Sequence, residues 1–236
     1  MSTTFDDPLA LGDDALIAAQ RLAEWASRGP TMEEDVALAN IALDQLGAAR
    51  LFLSAAGDED DLAYLRDAAE FRNCRLVELP NAPVDAVSGV GIGHELDFGW
   101  TIVKLLFLSA AQMQTYERLA ASDGPLAEIA AKLVKESAYH LDHAALWTRR
   151  LGDGTAASHE RMAATVGALW AYTHDLCDDR TTWLKTVEPV LREATLDLPG
   201  EGPAEVGGRE GRHTGHLAAL LAEMQVLHRA HPGARW

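Results

Sequence analysis

Apolar residues recur every three to four positions along almost the whole chain, and this spacing restricts the fold more than any other feature of the sequence. Between residues 13 and 27, for example, the apolar positions are Leu16, Ala19, Leu22, Ala23 and Ala26. Side chains at this spacing share one face of an α-helix. Alanine is abundant, β-branched residues are sparse, and almost no strand pattern occurs. The sequence therefore predicts an all-α protein.

Glycine and proline divide this pattern into predicted helices. Thr31, followed by Glu34, is a capping-box sequence that predicts the start of the second helix, and Pro125 suits the first turn of the fifth. Asp13 and Asp14 are interpreted as helix-start residues, where negative charge is favourable. The predicted helices span about residues 13–27, 32–56, 60–79, 95–121, 125–151, 156–178, 181–196 and 213–230.

The predicted helices form two long hairpins, over about residues 13–56 and 95–151, joined by an intervening helix and a crossover. Two long hairpins connected in this way predict a ferritin-like four-helix bundle with additional helices. The C-terminal helices cover about residues 156–231. No linker divides the chain, so a single domain over 1–236 is expected. The Gly- and Pro-rich stretch 196–214 is predicted to be a mobile loop.

Charge and composition exclude several classes of function. The formal net charge is −16, which argues against a nucleic-acid-binding surface and against attraction to anionic lipid. No stretch of 18 apolar residues lacks a charge, so we expect no membrane span. The N-terminus lacks the features of a secretory signal, and Cys74 and Cys177 are interpreted as reduced thiols of a cytoplasmic protein. The sequence SGVGIG at 88–93 follows no strand, so dinucleotide binding is not expected.

The stretch 135–154 raises the question of a metal site, because it places Glu136, Tyr139, His140 and His143 within two helical turns. A ferritin-like di-iron site needs one carboxylate from each of two helices and a Glu-x-x-His pair from each of the other two. Tyr139 stands where the histidine after Glu136 is required, and His140 is rotated by about 100° from it. In the hairpin, Glu136 lies level with Gln112, an amide where a carboxylate is wanted.

The first predicted hairpin offers fewer metal ligands. Asp44 is the matching acid, but Gly47 stands where its histidine is required. We therefore predict that the chain has no catalytic, cofactor-binding or metal-binding residues. In this interpretation Asp44, Gln112, Glu136, Tyr139 and His140 form a hydrogen-bonded polar cluster inside the bundle.

Two enzymatic or storage alternatives remain open at this point. The first is a divergent metal-dependent oxidase that uses Glu136, His140 and His143. The second is a storage or stress bundle of the ferritin type, which would need intact iron ligands and assembly into large shells.

Residues outside the two hairpins provide further candidates. His213 and His216 lie three residues apart with Glu223 two turns on, which is a weak metal pattern; the polar first turn of a helix is the ordinary interpretation. Arg209 and Arg212 suit either a solvated loop or contact with an acidic partner or a CoA phosphate. The tryptophans weighed as partner contacts or as core residues are Trp147, Trp170, Trp183 and Trp236.

Several stretches together resemble the structural (PaaC-type) subunit of the bacterial multicomponent 1,2-phenylacetyl-CoA epoxidase, or phenylacetate-CoA oxygenase. The resemblance extends over essentially the whole chain. It is carried by QRLAEW (20–25), EEDVALANIALDQLGAARLFL (33–53), FRNCRLVELPN (71–81), KESAYHLDH (135–143), RRLGDGT (149–155), GGREGRHTGHLAALLAEMQ (207–225) and HPGARW (231–236).

The resemblance implies a ferritin-like fold and a non-catalytic role in aerobic phenylacetate degradation. In that family the catalytic partner carries the di-iron centre and forms the ring epoxide, while a reductase with flavin and iron–sulfur groups supplies electrons from NADPH. No active-site residue is implied for this chain. The implied partners are the catalytic ferritin-like subunit, small accessory subunits and the reductase, with a homodimer as one state of the isolated chain.

Overall fold

A computed structural model describes residues 4–83, 95–200 and 202–234. Every regular element in these ranges is helical, so the predicted all-α, ferritin-like fold class is confirmed. The α-helices are α1 Pro8–Ala23, α2 Met32–Ala56, α3 Glu59–Tyr64, α4 Arg75–Glu78, α5 Phe98–Ala120, α6 Ala127–Gly152, α7 Ala156–Trp170, α8 Arg180–Glu193, α9 Gly215–Met224 and α10 Val226–Ala230.

The described residues divide into two compact units. Unit one contains residues 4–80 and 207–234, and unit two contains residues 81–83, 95–200 and 202–206. Whether the chain folds as a single domain, as the absence of a linker suggests, stays a prediction. Each unit is built on one of the two predicted long hairpins.

The hairpin of unit one begins earlier than the sequence pattern indicated. Asp7 caps α1 by accepting a hydrogen bond from the backbone N–H of Leu9, and Pro8 occupies the first helical position. Asp13 and Asp14 therefore lie inside α1 and are buried, so their interpretation as helix-start residues is wrong. The second helix begins as predicted, with the Thr31 side chain accepting from the N–H of Glu34.

The predicted helix at 60–79 is broken in the structure. α3 ends at Tyr64, a 3-10 turn follows at Ala68–Glu70, and α4 begins only at Arg75. Between them the backbone N–H groups of Arg72 and Cys74 donate to the carboxylates of Asp13 and Asp14. In a continuous helix these two N–H groups would donate to carbonyl groups of the same helix. Because they donate to the buried carboxylates of α1 instead, those acids favour the interruption of the helix.

The predicted mobile loop at 196–214 is packed over its second half. Gly208 and Arg209 are buried in a 3-10 turn, and Arg209 is only 6% exposed. The turn lies against residues of the 66–78 segment, since an added Cβ on Gly208 would stand 2.2 Å from the carbonyl oxygen of Asn73. This part of the chain belongs to the core of unit one.

Unit two is built on the hairpin of α5 and α6, against which α7 and α8 pack. Asp97 caps α5 by accepting from the N–H of Trp100. Trp183 is fully buried, and its Nε1–H donates to the carbonyl of Phe107 over 3.0 Å. Trp170 is also buried, whereas Trp147 is half-buried and meets Phe98 edge to face. Trp236, like SGVGIG at 88–93, lies outside the described residues.

Among the described residues, α2 has the length and composition that a membrane crossing requires. Core helices of soluble proteins meet the same criteria, so this is weak evidence for a membrane span. In this structure α2 packs along α1 and buries Leu38 and Phe52 completely.

Candidate functional site

The predicted site residues of α6 separate in the structure. His140 is 3% exposed, Glu136 and His143 are half-buried, and Tyr139 is 75% exposed. Because Tyr139 and His140 are neighbours in a helix, their side chains differ by about 100° in direction and cannot share the buried face. The interpretation of Tyr139 as part of an interior polar cluster is therefore wrong.

The buried face of α6 runs one residue away from the register that Glu136 suggested. Its members are spaced by three and four residues and include three polar side chains, Ser137, His140 and Thr148. Ser137 is 2% exposed and stands three residues before His140, so a hydroxyl occupies the place that a Glu-x-x-His pair gives to a carboxylate. The stripe is Ala130, Leu133, Ser137, His140 and Ala144.

The same shift occurs on α2. Asp44 is half-buried and Gly47 is exposed, with open space where a Cβ would be. The buried residues are instead Gln45, at 2% exposure, and Ala48 three positions later. An amide and a methyl group therefore replace the expected acid and imidazole on this helix. The apolar stripe Leu38, Ile41, Ala48 and Phe52 is the sequence signal that gives the correct register.

Polar residues are also buried on α5. Gln112 is 6% exposed and Ser109, one turn earlier, is fully buried. Lys104 is 7% exposed, and its ammonium lies 3.4 Å from Oδ1 of Asn81. Gln112 was predicted as an interior amide, but the sequence pattern did not single out Lys104 or Ser109.

On the buried face of α2, in unit one, Gln45 is a neutral amide. On the buried faces of α5 and α6, in unit two, Gln112 and Ser137 are neutral, and Lys104 adds a positive charge rather than a ligand. These residues are not the carboxylates that an iron site requires. In residues 4–83, 95–200 and 202–234, no three His, Cys, Asp or Glu side chains come together as a metal site. Glu136, His140 and His143 are thus not gathered into a ligand cluster, and the prediction that the chain binds no metal stays a prediction.

The two acids buried inside α1 are each neutralised by an arginine. Asp13 is fully buried and paired with the guanidinium of Arg66, whose Nη1 lies 3.0 Å from Oδ2. The backbone N–H of Arg72 donates to the same carboxylate over 2.7 Å. Burial raises the pKa of Asp13, and its hydrogen bonds to Arg66 and Arg72 oppose that rise.

The second acid, Asp14, is paired with Arg209. Nη2 of Arg209 lies 2.6 Å from Oδ2 of Asp14, and the two side chains are 4% and 9% exposed. The N–H of Cys74 donates to the other carboxylate oxygen over 2.7 Å, and Arg209 also donates to the carbonyl of Arg72. Of the alternatives given for Arg209, the solvated loop is therefore wrong. Arg212 is exposed and pairs with Glu210.

A third buried acid, Glu78, joins α4 to the start of α9. Its carboxylate accepts from the N–H of Thr214 over 2.6 Å and lies 2.8 Å from Nδ1 of His213. Nε2 of His213 lies 3.0 Å from the carbonyl of Phe71, so both ring nitrogens face acceptors. His213 is thus committed to Glu78 and Phe71, and not to a cluster with His216 and Glu223.

In the described part of unit one, six buried ionisable side chains form three pairs, which together we call the arginine–carboxylate cluster: Asp13 with Arg66, Asp14 with Arg209, and Glu78 with His213. Each carboxylate meets a cationic or imidazole group and a backbone N–H. Paired and hydrogen-bonded charges can remain buried, whereas isolated ones cannot. The cluster joins α1, the 66–78 segment and the 207–214 segment, so its chemistry is that of a cross-link between chain segments.

Two open cavities of about 260 Å³ in the described part of the chain are lined by other residues. One, in unit two, is lined by Phe98, Leu151, Arg161 and Met162. The other, in unit one, is lined by Ala68, Leu221, Gln225 and Arg229. Neither contains a residue that the sequence pattern or the arginine–carboxylate cluster singles out.

The fold and these sites define a class: an all-α, ferritin-like protein with buried acids that are paired with arginine. Comparison with known families identifies the family to which the chain belongs. The family described as "Phenylacetic acid catabolic protein" matches residues 2–181 and 178–236, and the chain belongs to that family. A relative from Escherichia coli (strain K12), named as one of the subunits of 1,2-phenylacetyl-CoA epoxidase, is 40% identical over 254 residues, covering 97% of each chain.

Proposed function

We propose that this chain is a non-catalytic, structural subunit of a monooxygenase that epoxidises the ring of phenylacetyl-CoA in phenylacetate catabolism. The observation that carries the proposal is the similarity to the Escherichia coli epoxidase subunit, at 40% identity over 97% of both chains. Because the coverage is nearly complete on both sides, the likeness extends to the two hairpins and to the C-terminal helices. The alignment therefore favours the same role in a multi-subunit enzyme.

The buried register of the helices supports a non-catalytic role. Ser137 and Gln45 stand where Glu-x-x-His pairs would supply carboxylates, and Ala48 stands in place of an imidazole. Neutral side chains cannot balance the charge of two iron cations or bridge them. We therefore assign the di-iron centre to the catalytic subunit and no step of the oxidation to this chain.

The arginine–carboxylate cluster also supports a non-catalytic role, because its buried acids are already paired. Asp13 and Asp14 are the acids of α1 that are buried, and both are held by guanidinium groups. A metal ion would have to displace an arginine from each carboxylate, leaving a buried, unpaired cation. These acids stabilise the fold and are not available as iron ligands.

In this proposal the chain contributes a rigid helical surface against which the di-iron subunit is held. Small accessory subunits and a reductase that carries flavin and iron–sulfur groups and uses NADPH complete the complex, in the cytoplasm. The relative's name identifies that protein as one subunit of an epoxidase, and we extend its assembly with other subunits to this chain.

Co-expression with the di-iron subunit from the same genome tests the proposal. Affinity purification through a tag on this chain is expected to recover both subunits in a fixed ratio, with iron following the catalytic subunit. Epoxide formation from phenylacetyl-CoA, O2 and reductase should require both chains. Each chain purified alone serves as the control. Stoichiometric iron in this chain alone, together with product formation, would overturn the proposal.

A further inference from the structure

The pair of Glu78 and His213 differs from the other two pairs of the arginine–carboxylate cluster, because its cationic partner can lose a proton. A guanidinium group keeps its charge in proteins, whereas an imidazole group can change its charge near neutral pH. The side chains of Glu78 and His213 are 0% and 4% exposed. The charge of His213 therefore decides whether the buried carboxylate of Glu78 has a counterion.

Both ring nitrogens of His213 face an acceptor. Nδ1 lies 2.8 Å from Oε2 of Glu78, and Nε2 lies 3.0 Å from the carbonyl oxygen of Phe71. A neutral imidazole has one N–H group and one lone pair, so one of these contacts would set a lone pair against an oxygen. With a proton on each nitrogen, both contacts are hydrogen bonds, and this geometry favours the imidazolium form.

The surroundings of Glu78 favour a second proton on His213 rather than on the carboxyl group. Besides the imidazole, the N–H of Thr214 donates to Oε1 over 2.6 Å, and the side-chain amide of Asn73 donates to Oε2 over 3.1 Å. An ionised carboxylate only accepts hydrogen bonds, so it satisfies all three donors. These hydrogen bonds favour the charged form of Glu78, and a buried negative charge needs a positive partner.

Other charged groups near the pair bind elsewhere. Three half-buried arginines donate to main-chain carbonyl groups: Arg21 to Glu78, Arg72 to Phe71 and Arg75 to Arg212. His216, one turn along α9, has its backbone carbonyl 3.5 Å from Arg21. The arginine charges oppose a second proton on His213, but the carboxylate of Glu78 contacts the ring directly. Because electrostatic energy falls with distance, Glu78 outweighs them.

We propose that His213 carries a proton on both ring nitrogens, and that this charge holds the 207–214 segment against α4. Loss of one proton leaves Glu78 buried without a counterion and sets a lone pair of the ring against an oxygen. The contact between the segment and α4 then opens, so it is a switch that opens as pH rises. It depends on the geometry of unit one alone and not on the proposed role in an epoxidase.

Nitrogen NMR of the imidazole rings tests the charge of His213 in the full chain. Its resonances are assigned by their loss in His213→Gln. At about pH 7, where a free imidazole is mostly neutral, both ring nitrogens should resonate as protonated nitrogens. Glu78→Gln removes the counterion and should leave one nitrogen unprotonated. A neutral His213 in the wild type overturns the proposal, and this spectrum decides the question even if Glu78→Gln does not fold.

Amide hydrogen exchange tests whether this proton holds the segment. The reporter is the N–H of Thr214, which donates to Glu78, and the reference is the N–H of Trp100, which donates to Asp97 over 3.0 Å. The pH is raised until the ring signal shows the loss of one proton. Over that range the protection factor of Thr214 should fall by up to about tenfold per pH unit, as expected for a one-proton step, and that of Trp100 should not change.

Two variants separate the proton on His213 from other effects of pH. In His213→Gln, the protection of Thr214 should be low throughout and independent of pH. His159→Gln is the matched control and should behave as the wild type, since Nδ1 of His159 also lies 2.8 Å from a carbonyl oxygen but belongs to unit two. Unchanged protection of Thr214 while His213 loses its proton, or a wild-type pH dependence in His213→Gln, contradicts the proposal.

Discussion

Individual side chains decide how unit one is held together. Arg209 crosses from the C-terminal segment to Asp14 in the first helix, and Arg66 crosses from the segment after α3 to Asp13. The two residues of each pair are far apart in sequence, and the local sequence pattern around neither residue predicts its partner. From the sequence, Asp13 and Asp14 were predicted only as helix-start acids and Arg209 only as a loop residue. Their pairing could not be predicted, because contacts between residues so far apart in sequence depend on the packed fold.

At the residue scale, we expect Asp14→Asn to destabilise the protein strongly. The substitution keeps an oxygen for the N–H of Cys74 but leaves the charge of Arg209 buried without its counterion. Removing one partner of a buried ion pair costs about 3–5 kcal/mol. The free energy of unfolding, measured by urea denaturation of the helical signal, should fall by that amount.

Two further variants show whether the cost comes from the unpaired charge. Arg209→Met in the Asp14→Asn background should lose much less stability than the sum of the two single changes. Glu193→Gln removes the exposed partner of Arg149, a pair with 40% and 54% exposed side chains. That change should cost less than about 1 kcal/mol. Equal losses for Asp14→Asn and Glu193→Gln would contradict the prediction.

At the scale of elements, the predicted helix boundaries agree best with the structure where a local capping sequence marks the end of a helix. The helix predicted at 32–56 is observed at Met32–Ala56, and the Thr31 cap explains its start. The helix predicted at 60–79 fails, because buried carboxylates from α1 take its backbone N–H groups. Local spacing predicts an amphipathic helix, but it contains no information about an acceptor supplied from 60 residues away.

The close contact between the 207–214 segment and the 66–78 segment leads to a second prediction. Gly208→Ala should destabilise unit one by about 1–3 kcal/mol, because the new methyl group would overlap the carbonyl of Asn73. Gly215→Ala is the matched control, since a Cβ there meets nothing within 4 Å. It should be neutral or stabilising. Urea denaturation measures both, and equal effects would show that the segment is not packed as described.

A third prediction concerns the start of α8. The hydroxyl and N–H of Thr182 donate to Asp179, and these bonds lower the pKa of that carboxyl below 3.8. A lowered pKa in the folded state means that the stabilisation is present above the unfolded pKa and is lost as pH falls through the folded pKa. Asp179→Asn keeps a capping side chain but removes the titration. The stability difference between wild type and variant should therefore shrink as pH falls below 3.8.

Urea midpoints measured from about pH 6 down to the acid transition would check this dependence. Thr182→Val removes the hydroxyl but keeps the N–H, so the pKa of Asp179 should be lowered less than in the wild type. The stabilisation by the cap should then be lost at a higher pH than in the wild type. Parallel curves for wild type and Asp179→Asn would rule out a role for the cap in acid stability.

At the scale of the whole molecule, the sequence predicted the fold class, but it placed the candidate site residues of α2 and α6 in the wrong register. Asp44 and Glu136 were predicted as interior residues because acids can bind iron. The buried faces of their helices contain Gln45 and Ser137 instead. The apolar stripes on either side contain the information needed to correct this error by one residue. Lys104 is different, because its long side chain gives no sign of burial in the pattern.

The proposed role leads to a final prediction about the assembled complex. Glu136, His140 and His143 are replaced together by glutamine, which retains hydrogen bonding and approximate size. If this chain contributes no chemistry, epoxide formation should stay within about twofold, a barrier change of about 0.4 kcal/mol. Iron content per complex should not change. Loss of a general acid, base or metal ligand would instead lower the rate by about 100-fold or more.

The variant complex must first co-elute as the wild type does, because His140 is buried and its replacement acts on packing as well. If assembly fails, the pair Glu136→Gln and His143→Gln, both at half-buried positions, isolates the chemical question. A loss of about 100-fold in a fully assembled complex would revive the metal-dependent oxidase as the function of this chain. An unchanged rate would leave α6 with a role in packing alone, as its hydroxyl-bearing buried face predicts.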